Sequence, residues 1–443
     1  MCVPRTPTPF AAPPFSRNQV TPVSAAVQNA ADQFAPRIVA SPGLAMPRRQ
    51  KLLYVVVLGA LIALGPFTID MYLPAFPAVA ADLAASDAAI QLTLTATTIG
   101  FALGQLVVGP LSDALGRKKP LVIATTIHIA ASAFVVFAPS VEWVMAGRVL
   151  QGIGAAGGGV VANAMVRDLF AGQALIRMLA RMALVVGLAP VIAPVIGSQL
   201  LSFMDWRGLF VVLALYGTAV ALVVSGVIKE TMPAERRGKA SLSATRTRYA
   251  HLLNDRAFVG ISMVGALTFA ALFCYLSASS FVLQDQFGMS AQEYGLVFAT
   301  NSVGLIIANQ TSARLMRVFP PRSVITWGLA IMLTGAVLIV AGNLMGLGLV
   351  GLLVPLFFVV SSLGIIGPAV QITALNSHGE EAGTAASLLG ALNAGIAGAV
   401  SPLVGVLGVS VISMGAVMIG SLVVAIAIFW TVVRPRIQTT VIA

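Results

Sequence analysis

The chain has few charged residues and very little cysteine or histidine for its length. Of its 443 residues, 9% are charged and 58% are hydrophobic, and only 2 are cysteines and 3 histidines. A soluble domain carries about 25% charged residues, so this chain could not cover itself with a hydrated surface. The two cysteines lie far apart in the sequence, which suggests neither a disulfide framework nor a metal site.

Motifs for chemical catalysis are also missing. The sequence contains no Gly-x-x-x-x-Gly-Lys-Ser/Thr loop, so ATP hydrolysis has no visible site. The three histidines are isolated, and packing or solvated roles are expected for each. We therefore predict no enzyme, with no catalytic residue, no metal site and no cofactor.

Long apolar stretches fill most of the chain, whose mean hydropathy is +0.95. A bilayer core about 30 Å thick needs roughly 20 apolar residues per helix. Twelve stretches qualify, and none has the polar face that a soluble helical core would need, so we predict an all-α membrane protein with 12 transmembrane helices. Their approximate bounds are 52–78, 90–111, 121–138, 141–166, 175–201, 209–228, 258–282, 294–316, 324–341, 347–370, 385–407 and 411–433.

The distribution of basic residues predicts the orientation of these helices. With the N-terminus inside, the inner loops, tails and adjoining helix ends contain every Lys and Arg except Arg148 and Arg207. We expect a multi-pass protein of the plasma (cell inner) membrane, with both termini in the cytoplasm and lipid around it. Nucleic-acid binding is not expected, because the basic residues are dispersed and have no base-stacking aromatics among them.

The longest polar interruption divides the helices six and six. Residues 1–45 lack the apolar segment of a signal peptide, and their composition is typical of disorder. The predicted organisation is a disordered cytoplasmic tail (1–50), an N-terminal six-helix bundle (51–228), a cytoplasmic linker (229–257), a C-terminal six-helix bundle (258–433) and a second cytoplasmic tail (434–443).

The two predicted bundles resemble each other weakly. Gly187, Pro194 and Gly197 recur with the same spacing 208 residues later. The segment "YLPA" at 72–75 is echoed by "YLSA" at 275–278. Two pseudo-symmetric halves of this kind are typical of transporters that rock around a site at mid-depth.

Four motifs resemble a known family. The loop "GPLSDALGRKKP" (109–120) is similar to the signature loop of the major facilitator superfamily (MFS). "RVLQG" (148–152) resembles the helix-four motif of that superfamily, and "GLAPVIAPVIGS" (187–198) resembles its helix-five antiporter motif, with Ala193 and Ser198 where glycines are usual. "TIDMYLPAFP" (68–77) is similar to the helix-one motif of the Bcr/CflA-type multidrug and chloramphenicol exporters.

The resemblance implies proton-driven export of small hydrophobic compounds. It also implies that the 109–119 loop belongs to a gate. The alternative for the basic residues of this loop is that they only fix the orientation of the helices in the membrane. Asp113 is expected to pair across the halves with a basic residue or a helix N-terminus. The helix-five motif would seal an occluded state against proton leak, or form a generic kink. The gating residues are Gly109, Asp113, Gly116, Arg117 and Lys118, and the helix-five residues are Gly187, Pro190, Pro194 and Gly197.

Asp70 is the only charged residue between Lys51 and Asp82. An ionised carboxylate at mid-membrane costs about 2.5–3.5 kcal/mol even on the lenient insertion scale, and intramembrane ionisable residues usually serve function. Helix lengths place Asp70 and Arg148 at a similar depth. We expect these two residues to couple transport to protons, with Asp70 protonated in one state and ionised in the other. The alternatives are that Asp70 caps a helix break before Pro74, and that Arg148 is a structural counter-ion or carbonyl clamp.

"QGIGAAGGG" (151–159) matches the glycine spacing of a dinucleotide-binding loop. That fingerprint requires a preceding strand, whereas a membrane stretch surrounds it here, so close helix packing explains the glycines better. Gln151 lies on the same helix face as Arg148. Substrate-cavity candidates, which share an aromatic or polar side chain on a helix expected to face the cavity, are Phe67, Tyr72, Gln91, Gln151, Asn163, Tyr275, Phe281 and Asn301.

The predicted function is proton-coupled antiport of a drug-like small molecule by a protein that acts as a monomer. One alternative is a proton symporter that imports a small metabolite or sugar, for which more paired carboxylates in the second half would be expected. A non-transporting receptor or scaffold is the other alternative, but no sensor or partner domain is visible in the sequence.

Overall fold

The computed structural model describes residues 43, 46–237, 242–376, 378 and 382–435, and these residues contain helices and no strand. The helices are numbered in chain order. They are α1 (Arg48–Asp70), α2 (Phe76–Asp82), α3 (Asp87–Leu115), α4 (Lys118–Val136), α5 (Val141–Leu169), α6 (Gly172–Leu200), α7 (Trp206–Val227), α8 (Leu242–Asn254), α9 (Arg256–Phe281), α10 (Ala291–Leu315), α11 (Pro321–Leu344), α12 (Gly348–Asn376), α13 (Ala382–Val400), α14 (Pro402–Val406) and α15 (Val411–Ile428).

Eleven spans in the described residues are long and apolar enough to cross a membrane. The twelfth predicted stretch, 294–316, also forms a helix, α10, which is 25 residues long. It falls below the apolarity of the others because it carries several polar side chains, including Gln292, Asn301 and Gln310. The all-helical membrane fold that the sequence predicts is thus confirmed, and α10 is its most polar long helix.

The segments between and around the bundles are only partly described. The predicted disordered tail lies almost wholly outside the described residues, as do 238–241 of the linker and 436–443 of the C-terminal tail. The linker also contains helix α8, which the sequence analysis did not predict.

Several helices begin at side chains that cap their first turn. Asp205 accepts a hydrogen bond from the backbone of Gly208 at the start of α7, and Asp255 accepts one from Ala257 at the start of α9. Ser290 and Glu293 form a reciprocal capping box at the start of α10. These contacts satisfy backbone N–H groups that a helix start leaves without partners.

Helix α1 ends at Asp70, four residues before Pro74. Pro74 has no N–H to donate to the carbonyl of Asp70, and its ring would clash with that carbonyl in a continuous helix. The chain instead passes through a 3₁₀ turn at Leu73–Ala75 and continues as α2. The first membrane crossing, Arg48–Asp82, is therefore a discontinuous helix with Asp70 at its break.

We call the end of the bundle where α1 begins the proximal end, and the end where α2 finishes the distal end. The N-terminal six helices (α1–α7, with α2 completing the first crossing) contact the C-terminal six helices (α9–α15, with α14 completing α13) chiefly along two pairs, α3 with α13 and α6 with α10. One apolar core contains buried residues of both sets, and a smaller core around Leu58 and Met165 lies within the N-terminal six.

Candidate functional site

Asp70 is buried at the end of α1, with 6% of its surface exposed. Among the described residues, its carboxylate has no hydrogen bond and no ion pair. Its electrostatic neighbours are the hydroxyls of Tyr275 on α9 and Tyr294 on α10, both in the C-terminal six. The break in α1 therefore carries a carboxyl group, without a cationic partner, to the contact between the two sets of helices.

The two tyrosines belong to a small polar cluster on the C-terminal side. Asn301 donates a hydrogen bond to the Tyr275 hydroxyl at 3.2 Å, and the hydroxyls of Ser279 and Tyr294 lie 3.2 Å apart. The ring of Phe298 stacks on Tyr275, with ring centres 5.8 Å apart. The two tyrosine hydroxyls that neighbour Asp70 are thus held by Asn301 and Ser279.

Arg148 on α5 is fully buried close to the same break. Its Nη1 donates to the carbonyl oxygen of Thr68 at 2.7 Å and to Oε1 of Gln151 at 3.0 Å. The guanidinium also lies 4.8 Å from the ring centre of Tyr72 and 5.8 Å from that of Phe210. Cation–π attraction to two rings partly replaces the hydration that the guanidinium loses on burial.

Arg148 and Asp70 approach the same helix end without forming an ion pair. In this conformation Arg148 satisfies a backbone carbonyl that the end of α1 leaves without its helical donor. The carbonyl clamp, which the sequence analysis left open as an alternative for Arg148, is therefore what the geometry displays. The helix break before Pro74 is also present, but no side-chain cap from Asp70 accompanies it in the described residues.

The remaining cavity candidates are scattered. Phe67 packs on Tyr216 of α7, and Phe281 packs on Phe76 at the distal end, with ring centres 5.4 Å and 5.7 Å apart. Asn163 is half-buried and donates to a carbonyl of its own helix. Gln91 is fully buried, and neither of its amide atoms has a hydrogen-bond partner in the described part of the chain.

At the proximal end, Arg117 organises the predicted gating loop. Its guanidinium pairs with Asp113 at 2.5 Å and with Asp168 of α5 at 2.8 Å, and it donates to the Ser112 hydroxyl at 2.8 Å. Burial lowers the pKa of Arg117, but the hydrogen bonds and charges of Asp168 and Asp113 outweigh that effect and leave its pKa raised. Asp113 was expected to pair across the halves, whereas its partner here is a residue of its own loop.

Glu230, which follows α7 in the chain, is also part of this charged cluster. Its carboxylate accepts hydrogen bonds from the backbone N–H groups of Arg117 at 2.8 Å and Lys118 at 3.1 Å. Burial alone would raise the pKa of Glu230, but backbone donors, including Met232, and the Arg237 charge lower it overall. Glu230 therefore caps the N-terminus of α4, where a carboxylate is favoured by the helix dipole.

Two glycines of this loop permit close turns and contacts. Gly116 has φ of 89°, in the region that favours glycine, and a side chain there would collide with Glu230. Gly109 lies where a side chain would contact Val160 of α5 and Ser387 of α13. Lys118 donates from Nζ to the carbonyl of Ser225 at 2.7 Å.

The helix-five residues lie on α6, which continues from Gly172 to Leu200 through Pro190 and Pro194. Gly187 faces Ile306 of α10, and Gly197 packs against the backbone carbonyl of Met71 in the break after α1. These glycines therefore bring α6 close both to the C-terminal six and to the segment that carries Asp70.

Glycines of α13 and α14 face polar side chains of α3. A side chain at Gly390, Gly398 or Gly405 would meet Gln105, Thr98 or Gln91, respectively. The residue numbers fall along α3 as the glycine numbers rise along α13 and α14, so these helices pack antiparallel. We call this contact between the two sets of helices the α3–α13 seam.

Direct contacts close the distal end between the two sets of helices. Nε2 of Gln284 donates to the carbonyl of Pro74 at 3.1 Å, and Nε2 of Gln292 donates to the carbonyl of Ser198 at 2.9 Å. The aromatic contact between Phe76 and Phe281 lies beside them. We call these contacts the distal seal.

Sequence analysis missed several residues that the fold brings to this region. Thr68, His128, Ser132, Ser279 and Tyr294 are all buried beside Asp70 or Arg148 and their partners. A polar side chain within an apolar stretch is the signal they share. That signal is weak for hydroxyl residues because a hydroxyl can bond to its own helix backbone.

Comparison with known proteins agrees with the motifs. The profile described as Major Facilitator Superfamily matches residues 56–402. An uncharacterised MFS-type transporter, YdgK of Bacillus subtilis, is 34% identical over 392 residues, which is 88% of this chain and 97% of that protein. A bicyclomycin resistance protein homologue of Haemophilus influenzae is 29% identical, covering 81% of this chain and 90% of that protein. The multidrug resistance protein MdtL of Salmonella heidelberg is 30% identical, covering 85% and 94%.

Solved structures agree with the fold. A bacterial homologue of the human lysosomal transporter Spinster, in an inward-facing and unoccupied conformation, superposes with a TM-score of 0.66 at 16% identity and covers 88% of this chain and 98% of that one. Together with the apolar helices, these matches confirm the predicted class of multi-pass membrane transporter, which carries small molecules and is not an enzyme. The chain belongs to the Major Facilitator Superfamily.

Proposed function

We propose that this transporter exports drug-like amphipathic small molecules across the plasma membrane in exchange for protons. The observation that carries the proposal is the Asp70 carboxyl group, which is buried at the break of α1 near tyrosines of the opposite set of helices and has no ionic partner among the residues that the structure describes. Burying an ionised carboxylate with no partner is costly, so the protonated form is favoured while the site is closed, and the proton can leave when the site opens to water. The names of the bicyclomycin and multidrug resistance relatives support export of drugs.

Alternating access gives Asp70 its role. The inward-open protein binds the compound as the proton leaves Asp70, and the outward-open protein exchanges the compound for a new proton. One proton crossing 100 mV supplies about 2.3 kcal/mol, enough for roughly a 50-fold gradient of an uncharged compound. The proximal end is assigned to the cytoplasm because the basic residues concentrate there, and the distal seal then closes the outer side.

The proposed unit of transport is a monomer surrounded by lipid. Both sets of helices, the break carrying Asp70 and the facing tyrosines come from one chain, so the site needs no residue from a second copy. The aromatic and amide groups around Tyr275 suit an uncharged amphipathic ligand that has a few hydrogen-bonding groups.

Transport in energised inverted vesicles tests the proposal. Cells lacking their own drug pumps would first be screened for tolerance to bicyclomycin and a panel of uncharged amphipathic compounds. Proton-driven accumulation of a tolerated compound is expected with the unaltered protein and should be lost with Asp70→Asn. Glu142→Gln, at an exposed acid in the first turn of α5, is the matched control and should transport normally.

Two outcomes would overturn the proposal. Full proton-driven transport by Asp70→Asn would exclude Asp70 as the coupling residue. Proton-driven concentration of the compound inside intact cells, in place of its exclusion, would favour the uptake symporter over the exporter.

A further inference from the structure

A closed ring of hydrogen bonds joins α1, α4 and α5 beneath the break at Asp70. The ring runs through Thr68, His128, Ser132, Gln151 and Arg148, and all five residues are fully buried. Its links are Thr68 Oγ1 to His128 Nε2 (2.8 Å), Ser132 Oγ to the His128 carbonyl (2.7 Å), Gln151 Nε2 to Ser132 Oγ (2.7 Å), Arg148 Nη1 to Gln151 Oε1 (3.0 Å) and Arg148 Nη1 to the Thr68 carbonyl (2.7 Å).

The donors in the ring can be assigned from its geometry. The Thr68 hydroxyl has one hydrogen, which it donates to the Leu64 carbonyl at 2.6 Å. The contact with His128 therefore has Nε2–H as the donor and the Thr68 oxygen as the acceptor. The other ring nitrogen of His128 has no hydrogen-bond partner in the described residues and lies against Gly217 of α7.

The ring holds the last turn of α1 from two sides. His128 fixes the Thr68 side chain, and Arg148 fixes the Thr68 carbonyl, whose usual donor in a continuing helix would be the backbone N–H of Tyr72, beyond the end of α1. Asp70 follows Thr68 by two residues. Movement of this turn would move the Asp70 carboxyl group relative to α9 and α10.

We propose that His128 is a positioning residue for proton coupling: through Thr68 it fixes the last turn of α1, and thereby sets the distance between Asp70 and the tyrosine hydroxyls of the C-terminal six. The inference rests on the proposed role of Asp70. It assigns a function to a histidine that composition alone would leave as packing. The titratable or charged side chains that the described residues place around this turn are Tyr72, His128, Arg148, Tyr275 and Tyr294.

A test that needs no transported ligand uses thiol labelling. The full chain carrying Cys2→Ser, Cys274→Ala and the reporter Ala75→Cys, at a fully buried position beside the distal seal, would be placed in proteoliposomes. A membrane-impermeant maleimide is added from about pH 5 to 9, and each labelling rate is divided by the rate for the same cysteine in the denatured chain at the same pH, because thiolate reactivity itself rises with pH. The normalised profile measures how distal opening depends on protonation. His128→Leu and Thr68→Val are each expected to shift the midpoint of this profile by about half to one pH unit, and in the same direction.

Matched variants separate positioning from a general loss of structure. Thr125→Val lies on the same helix as His128, and its hydroxyl bonds to the carbonyl of Leu121 alone within the described part of the chain, so this variant should leave the midpoint unchanged. Ser132→Ala breaks the ring at its other side and provides a second variant if His128→Leu does not fold. In an Asp70→Asn background the profile should be flat, and His128→Leu should not change it further.

The outcomes distinguish the two proposals. A pH profile that persists in Asp70→Asn contradicts the proposed coupling role of Asp70. A flat profile in Asp70→Asn, with an unshifted midpoint in folded His128→Leu, Thr68→Val and Ser132→Ala, overturns the positioning role of His128 alone.

Discussion

The guanidinium of Arg148 lies 2.7 Å from the carbonyl oxygen of Thr68, while Asp70, two residues further along, has no ion pair among the described residues. The positive charge is thus used to hold the backbone, and the acid is left to face the other set of helices. This arrangement separates the group that shapes the break from the group that is proposed to exchange the proton.

Arg148→Lys should greatly reduce transport, even though it keeps the positive charge. A lysine cannot reproduce the flat guanidinium that bonds to Thr68 and Gln151 while lying over Tyr72. We expect the transport rate to fall by about tenfold or more, which corresponds to about 1.4 kcal/mol or more. Rates in proteoliposomes, normalised to the amount of protein, measure the effect.

Arg207→Lys is the control for this change. Arg207 pairs with Asp82 at 2.5 Å at the partly exposed distal surface, where ion pairs contribute little. If Arg207→Lys lost as much transport as Arg148→Lys, the loss could not be assigned to the contacts of the Arg148 guanidinium at the break.

Gly398→Ala should slow transport through its effect on the α3–α13 seam. The new methyl group would meet the hydroxyl of Thr98, so the helices would have to separate locally or Thr98 would have to change rotamer. Gly395→Ala lies one turn away on α13, with open space around the glycine, and is the matched control. Initial rates over a temperature series provide the comparison, and equal rates for the two variants would contradict a role for the seam.

Gln284→Ala and Gln292→Ala should increase opening of the distal end. Each change removes a hydrogen bond from the distal seal, worth about 0.5–1.5 kcal/mol, which would raise the open population by roughly two- to tenfold. Labelling of Ala75→Cys by an impermeant maleimide measures this population. Gln286→Ala should have no effect, because Gln286 bonds to Val409 within the C-terminal six.

Low pH should weaken the charged cluster at the proximal end through Glu230. The pKa of this residue is lowered in the folded protein from its ordinary value of 4.5. Its contribution to stability is therefore present above pH 4.5 and is lost as the pH falls through the lower, folded-state pKa. Glu230→Gln should lower stability by about 1 kcal/mol at neutral pH and reduce the loss seen on acidification.

Thermal unfolding in detergent at neutral and acidic pH measures both effects. Glu235→Gln, at an exposed residue of the same segment, should behave like the unaltered protein. If Glu230→Gln and the unaltered protein lost the same stability on acidification, Glu230 would not be the group responsible.

The sequence was sufficient to predict the membrane-spanning helices and the family, because apolar length and loop motifs are local properties. The break at Asp70 was open as an alternative, because Pro74 cannot donate to the Asp70 carbonyl, but α6 continues through Pro190 and Pro194, so a proline alone does not decide for a break. The hydrogen-bond partner of Arg148 was not foreseeable from the sequence. Arg148 could reach a carboxylate or a carbonyl, and only the folded structure shows it between the rings of Tyr72 and Phe210 with the Thr68 carbonyl as its partner.

One expectation differed from the structure, and one helix was not predicted. Asp113 was expected to reach across the halves, but Arg117 lies one helical turn away and is held by Asp168, so a local ion pair forms instead. The helix Leu242–Asn254 in the linker was not predicted, because its many polar residues give it little apolar periodicity. Side-chain competition and long-range packing set these outcomes, and neither is visible in a motif.

The ring around Thr68 is built wholly from α1, α4 and α5, whereas the hydroxyls that face Asp70 belong to α9 and α10. The two sets of residues can therefore diverge separately. Under the proposed function, substitutions on α9 and α10 that spare Tyr275 and Tyr294 would change which compounds are accepted and leave the ring intact, a modular division that would let one scaffold acquire new cargo in few mutational steps.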